Sequence, residues 1–188
     1  MPTRTPWSGA ASSVPSGRLG AGPVSGCYTI RHAAEADLPL LASWRAHEHV
    51  RRWWGSPDVE PETGKLAEPR VVMWIAELDG TPLAFIQDYR VVDWSPHHFD
   101  DLPAGSRGLD LYIGEPTALG LGHGHRILRQ HVDGLFAAGV PAVGVDPHPD
   151  NPCAIRCFEK AGFAVASALN DTRWGRAVLM HRHVGDVA

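Results

Sequence analysis

The chain has 188 residues and a formal net charge of −4, with 44% hydrophobic and 20% charged residues. This is enough apolar sequence for one domain with a real core, and the negative balance argues against a nucleic-acid binder. No apolar run approaches the roughly 20 residues that span a bilayer, and three cysteines, Cys27, Cys153 and Cys157, fit a reducing cytoplasm better than a disulfide framework.

Residues 1–26 are mostly Pro, Gly, Ser and Ala and read as a disordered tail before a folded domain over 27–188. Residues 27–31 read as a first strand. Asp37 is placed to cap a helix running towards Val50, with Leu38, Leu41 and Trp44 on its apolar face. Trp53 and Trp54 follow; two adjacent residues cannot both face the core, so one of them should line a surface or cleft. Val71–Leu78 and Thr81–Arg90 read as a hairpin joined by Asp79-Gly80. A long loop over 91–107 holds Asp93, Asp100 and Asp101, and loops of that length inside a domain are usually functional. Residues 108–113 (GLDLYI) form a strand with a carboxylate set into it. Three glycines, Gly120, Gly122 and Gly124, then precede a helix with Ile127, Leu128, Val132, Leu135 and Phe136 on one face. Ala142–Val145 is a short buried strand ending at Asp146, Asn151 caps another helix, and residues 163–168 and 177–183 close the sheet. The order is that of a mixed α+β (α/β) domain.

A strand, a Gly-rich turn and a helix start together make an anion cradle, because backbone N–H groups and the helix N-terminus both face the turn. In sequence with Trp53-Trp54-Gly55, Gly108-Leu109-Asp110 and the segment from Asn151 to Phe163 (NPCAIRCFEKAGF), this cradle resembles the GNAT-fold N-acetyltransferases, and within them the aminoglycoside 6′-N-acetyltransferases. The resemblance covers about residues 28–183. It implies a central mixed sheet with a splayed strand pair that binds acyl-CoA, flanked by helices, with acetyl-CoA as donor and a small polycationic amine as acceptor.

Residue by residue, the resemblance implies that Leu111, Tyr112 and Ile113 meet the coenzyme arm by strand-like pairing. Leu119, Gly120, Gly122, His123, Gly124 and His125 meet its phosphates, and Asn151 and Phe158 complete the coenzyme site. Phe158 stands where many relatives have Tyr, and a phenyl ring has no proton to give the leaving thiolate. Asp110 is the expected catalytic group, since an ammonium acceptor must lose a proton before it attacks. Pairing with Arg107 is the competing structural role for Asp110. Asp146, Trp54, Asp93 and Asp101 are expected at the acceptor, where acidic groups concentrate a polycation. His47/His49, His123/His125 and His181/His183 are i,i+2 pairs, and Cys153 and Cys157 stand four apart with no second pair at zinc spacing, so no metal is expected. The charge and the lack of a long apolar run lead to the expectation of no nucleic acid or membrane partner, and the chain is expected as a monomer or homodimer. A siderophore or other amino-sugar acyltransferase is the alternative, and a weak binding module for cationic ligands is a reading from another class.

Overall fold

A computed structural model describes residues 26–55 and 66–186. The expected tail, apart from Gly26, lies outside the described residues. A seven-stranded sheet runs in the order β1-β2-β3-β4-β5-β7-β6. The strands are β1 (Tyr28–His32), β2 (Val71–Leu78), β3 (Thr81–Arg90), β4 (Arg107–Ile113), β5 (Ala142–Val145), β6 (Ala164–Thr172) and β7 (Gly175–His183). All neighbours are antiparallel except β4 and β5, which run parallel. The hairpin predicted for β2 and β3 is present, with Asp79 and Gly80 both at positive φ, as a two-residue turn between twisted strands requires.

The single helix expected after Asp37 is two: α1 (Leu38–Ala46) and α2 (Glu48–Trp54), separated by His47 in an extended conformation. Asp37 caps differently as well. Its carboxylate accepts from the Ala34 N–H at 2.9 Å and from Arg31 at 2.7 and 2.8 Å, so it closes the short turn before α1 and ties that turn to β1. The break lets α2 turn back over the sheet. Buried Arg45 holds its end, Nη2 donating to the carbonyls of Trp54 and Gly55 at 3.2 and 3.3 Å, where a cation meets the negative end of the helix.

Alternation along the strands divides the core into two faces. Ile86, Leu109, Val143, Val145 and Met180 face α3 (His123–Ala137) and α4 (Pro152–Lys160), packing on Ile127, Leu128, Val132 and Phe158. Met73, Ile75, Phe85 and Tyr112 face α1 and α2, packing on Leu41, Trp44 and Val50. Further along this second face, Phe99 of the long loop packs with Val91, Ala177 and Leu179. Between these two clusters, on the same face, lie Gln87 and Tyr89 of β3, paired in register with Asp110 and Gly108 of β4.

A carboxylate sits deep inside the opposite face. Asp88 is fully buried and takes Arg107 on one oxygen. On the other it takes Trp74 Nε1 at 2.6 Å and His131 Nε2 at 3.1 Å. Three donors surround a carboxylate that would otherwise be costly to bury. The sequence reading assigned no role to Asp88.

Candidate active site

Strand β4 carries the site. On one side it pairs with β3 along its whole length, from Ala84↔Ile113 to Arg90↔Arg107. On the other its register with β5 ends after Arg107↔Val143 and Gly108↔Gly144. Beyond that point the parallel strands part, and among the described residues no strand pairs with the rest of this edge, which includes Leu111, Tyr112 and Ile113. An open edge is a template for an added extended chain.

On the α1/α2 face of this gap stand the acids. Asp110 Oδ2 accepts from Gln87 Nε2 at 2.7 Å. Arg107, the partner that a purely structural Asp110 would use, points to the other face and binds Asp88. Asp146 leaves β5 and approaches His98 Nε2 at 3.2 Å. Tyr89 lies between them. Its ring covers Gly108, where a Cβ would stand 2.2 Å from Cζ, so only glycine fits beneath it. Burial first, then the Asp110 and Asp146 charges, push the Tyr89 phenol well above its ordinary value, so the hydroxyl stays protonated. Its oxygen is 3.3 Å from His97 Nε2. Sequence reasoning missed Gln87, Tyr89, His97 and His98. The signal for Gln87 and Tyr89 was their spacing of two on a strand opposite Asp110 and Gly108.

The other expected acceptor residues are spread out. Asp93 is 3.9 Å from Arg90, and its carbonyl accepts from Arg70 at 3.5 Å. Asp101 is exposed and acts electrostatically on His181. Of the two tryptophans, Trp54 packs edge-on against Tyr112 and Phe85, with ring centroids 4.9 and 5.6 Å apart. Trp53 turns the other way, 5.7 Å from His148 just past β5. The pair thus divides as adjacent residues must, with Trp54 against the aromatic rings of the core and Trp53 towards the end of β5.

The end of β4 leads into the Gly-rich turn. Gly120 and Gly122 have φ of +76° and +84°, a region that favours glycine, and α3 starts at the next residue. Leu119 is exposed beside them. Gly124 serves packing: a Cβ there would stand 2.9 Å from Cys157 Sγ on α4. Three residues expected at the coenzyme have side-chain partners within the fold. The His123 ring is buried with Nδ1 2.7 Å from Tyr28 Oη, so it joins α3 to β1. Phe158 packs in the core edge-on to Phe163. The Asn151 side chain is spent on its cap, accepting from Ala154 N–H at 3.1 Å. His125 remains at the turn. Among the described residues no group of three or more His, Cys, Asp or Glu is arranged to hold a metal.

An open parallel strand edge, a glycine turn at the following helix and a carboxylate on the strand together define an acyl-CoA-dependent transferase. The acetyltransferase (GNAT) domain family matches residues 33–170, and the chain belongs to that family. The aminoglycoside N(6′)-acetyltransferase type 1 of Klebsiella pneumoniae is 33% identical over 146 residues, covering 72% of this chain and 73% of that protein. A crystal structure of the aminoglycoside acetyltransferase AAC(6′)-Ib in complex with coenzyme A and kanamycin superposes with a TM-score of 0.76 at 33% identity, over 84% of this chain and 95% of that one. An uncharacterised protein of Bacillus halodurans, 21% identical, shares the fold with a TM-score of 0.79 over 87% of each chain.

Proposed function

We propose that this protein transfers the acetyl group of acetyl-CoA to a primary amine of an aminoglycoside and so gives resistance to it. The observation that carries this reading is Asp110, held by Gln87 on the α1/α2 face of a strand whose edge is open. The residues present fit the donor. The open edge offers strand groups at Leu111 and Ile113 to the amides of the coenzyme arm, and the turn at Gly120 and Gly122 offers backbone N–H groups to its diphosphate. A strand N–H at the thioester stabilises the oxyanion that develops there. Asp110 binds the acceptor ammonium, orients it and receives its proton, directly or through water. The amine nitrogen then bonds to the acyl carbon, the nitrogen releases its second proton to solvent, and the carbon–sulfur bond breaks. Phe158 has no proton to give, so the thiolate takes one from solvent; with a thiol pKa near 8.5 this costs little at neutral pH.

Asp146 serves a second amine of the same polycation; its charge, like that of Asp110, is felt by the Tyr89 phenol between β3 and the end of β5. The relatives named as N(6′)-acetyltransferases make the 6′-amine the first position to assay. The reading places the enzyme in the cytoplasm with its substrates. Among the described residues no helix is long and apolar enough to cross a membrane. Release of coenzyme A thiol is the test, run over a panel of aminoglycosides and simpler amines. Release that depends on an aminoglycoside supports the proposal. Tight binding without release means a sequestering module, and release with other amines only moves the activity to another acceptor.

A further inference from the structure

The long loop between β3 and β4 lays two imidazoles against the acceptor side of the sheet, and the transfer step uses neither. The His98 side chain is only 10% exposed, and its Nε2 is 3.2 Å from Asp146 Oδ2. That nitrogen makes no hydrogen bond of good geometry among the described residues. The contact is close but poorly aligned, so the carboxylate stays open to a better-placed donor. Rings hold the imidazole where it is: the centroids of His97, Phe99 and Trp174 stand 4.1, 4.3 and 5.3 Å from its own. Charged and titratable groups surround it from every neighbouring element. On its own loop, Asp100 is engaged by the His97 N–H and by Ser95, and Asp101 acts on His181 of β7. Asp171 and Arg173 come from β6 and the turn after it, and Tyr89 comes from β3. Burial first holds His97 down at about 4 and His181 below its ordinary value, so both are neutral near pH 7. Among the described residues, His98 is the imidazole of these three that has a carboxylate at ion-pair distance.

Resting on the reading that Asp146 receives a second amine of a polycationic acceptor, we infer that His98 and that amine compete for the same carboxylate, which makes His98 a specificity-determining residue of the acceptor site. With the imidazole protonated, Asp146 is already neutralised, and a bound ammonium would meet a cation beside it. Binding then requires the imidazolium to release one proton to solvent, after which the ammonium takes its place at the carboxylate. With the imidazole neutral, no exchange is needed. The side chains are 10% and 19% exposed, so water screens the two charges only in part. Histidine is the side chain whose charge ordinarily changes between about pH 5 and 8. An acceptor with one amine can use Asp110 and makes no demand on Asp146. The competition therefore sorts acceptors: polycations lose affinity as pH falls through this range, and monoamines do not.

Calorimetric titration with kanamycin, the aminoglycoside of the related complex, tests this on the full chain saturated with coenzyme A. Dissociation constants are measured at about pH 6 and about pH 8, for the unaltered protein and for His98→Gln, which keeps a polar side chain that cannot charge. The ratio of the value at low pH to that at high pH is expected to be roughly three- to tenfold larger in the unaltered protein than in the variant. Ionisation of the drug itself is common to both proteins and cancels. For 6-amino-6-deoxyglucose, which has one amine, the two proteins are expected to give the same ratio. Equal ratios for kanamycin overturn the inference. An equal effect of the variant on the monoamine also overturns it, because His98 would then act elsewhere than through Asp146. NMR of the histidine rings reads the same point without a variant: at about pH 6.5, kanamycin converts one ring from the charged to the neutral form. Histidine signals that do not respond overturn the inference. If kanamycin binds neither protein at either pH, the aminoglycoside reading has failed and this inference falls with it; binding with equal ratios removes the inference alone.

Discussion

Asp110 owes its position to register. Gln87 sits directly opposite on β3, and its amide holds one carboxylate oxygen at 2.7 Å, leaving the group a defined orientation. Two other residues of this face are held by burial. His97 is pushed down to about 4, by burial first and then by His98 and Arg173; His181 is lowered by burial too. The fold thus prefers both rings neutral. The unfolded chain, with ordinary histidines, binds more protons between about pH 6.5 and 4. Stability is expected to be full above about pH 6.5 and to fall as pH drops towards 4, and His97→Gln should flatten that decline. Thermal melts of the two proteins across this range check it; parallel curves would mean that His97 protonates freely in the folded state. Phe158 is the other informative residue. Its ring lies in the α3/α4 core, so Phe158→Tyr places a hydroxyl among apolar groups at a cost of about 1–3 kcal/mol if it finds no partner. A lower melting temperature is expected. An unchanged one would show that the ring edge opens into the gap between β4 and β5.

At the scale of elements, the contact between α3 and α4 sets where the glycine turn stands. Gly124 lets Cys157 approach, and burial pushes that thiol up to about 11, so it is inert packing and not a nucleophile. Gly124→Ala is expected to destabilise by about 1–3 kcal/mol through overpacking, and Cys157→Ala to restore much of it in the double variant. Chemical denaturation of the single and double variants gives the coupling, and simple additivity would place the strain elsewhere. Elements with strong local patterns were legible in the sequence. The β2–β3 hairpin follows from apolar residues around Asp79-Gly80, and the start of α4 from Asn151. The break at His47 was not, because no Pro or Gly marks it and α1 and α2 are separated by a single extended residue. The departure of β5 from β4 was legible only through the family resemblance. Strand pairing over more than thirty residues leaves no local signal. For the same reason Asp88 was overlooked: Trp74, Arg107 and His131 gather around it from three distant parts of the chain.

Taken whole, the molecule puts two groups of charges on opposite sides of the sheet. The carboxylates of Asp110 and Asp146 are on the side of α1, α2 and the long loop, and the basic groups of α3 are on the other. A polycationic acceptor and a polyanionic donor thus approach the β4–β5 gap from opposite faces and can be present together. Initial-rate kinetics are expected to give intersecting double-reciprocal lines, with no acetylated enzyme. Parallel lines would require a covalent intermediate, for which this face offers no evident nucleophile among the described residues.

The central claim is that Asp110 takes the acceptor proton, and Asp110→Asn tests it most directly. Asparagine keeps the shape and removes the charge and the basic oxygen. Measured on one preparation, the melting temperature and the affinity for acetyl-CoA should be nearly unchanged. Meanwhile kcat/KM for an aminoglycoside should fall by roughly two to four orders of magnitude. The deficit should narrow at higher pH, where more of the amine is already neutral. A well-folded Asn variant with near-normal turnover at neutral pH would contradict the account, as would a loss of rate that only follows a loss of folded protein.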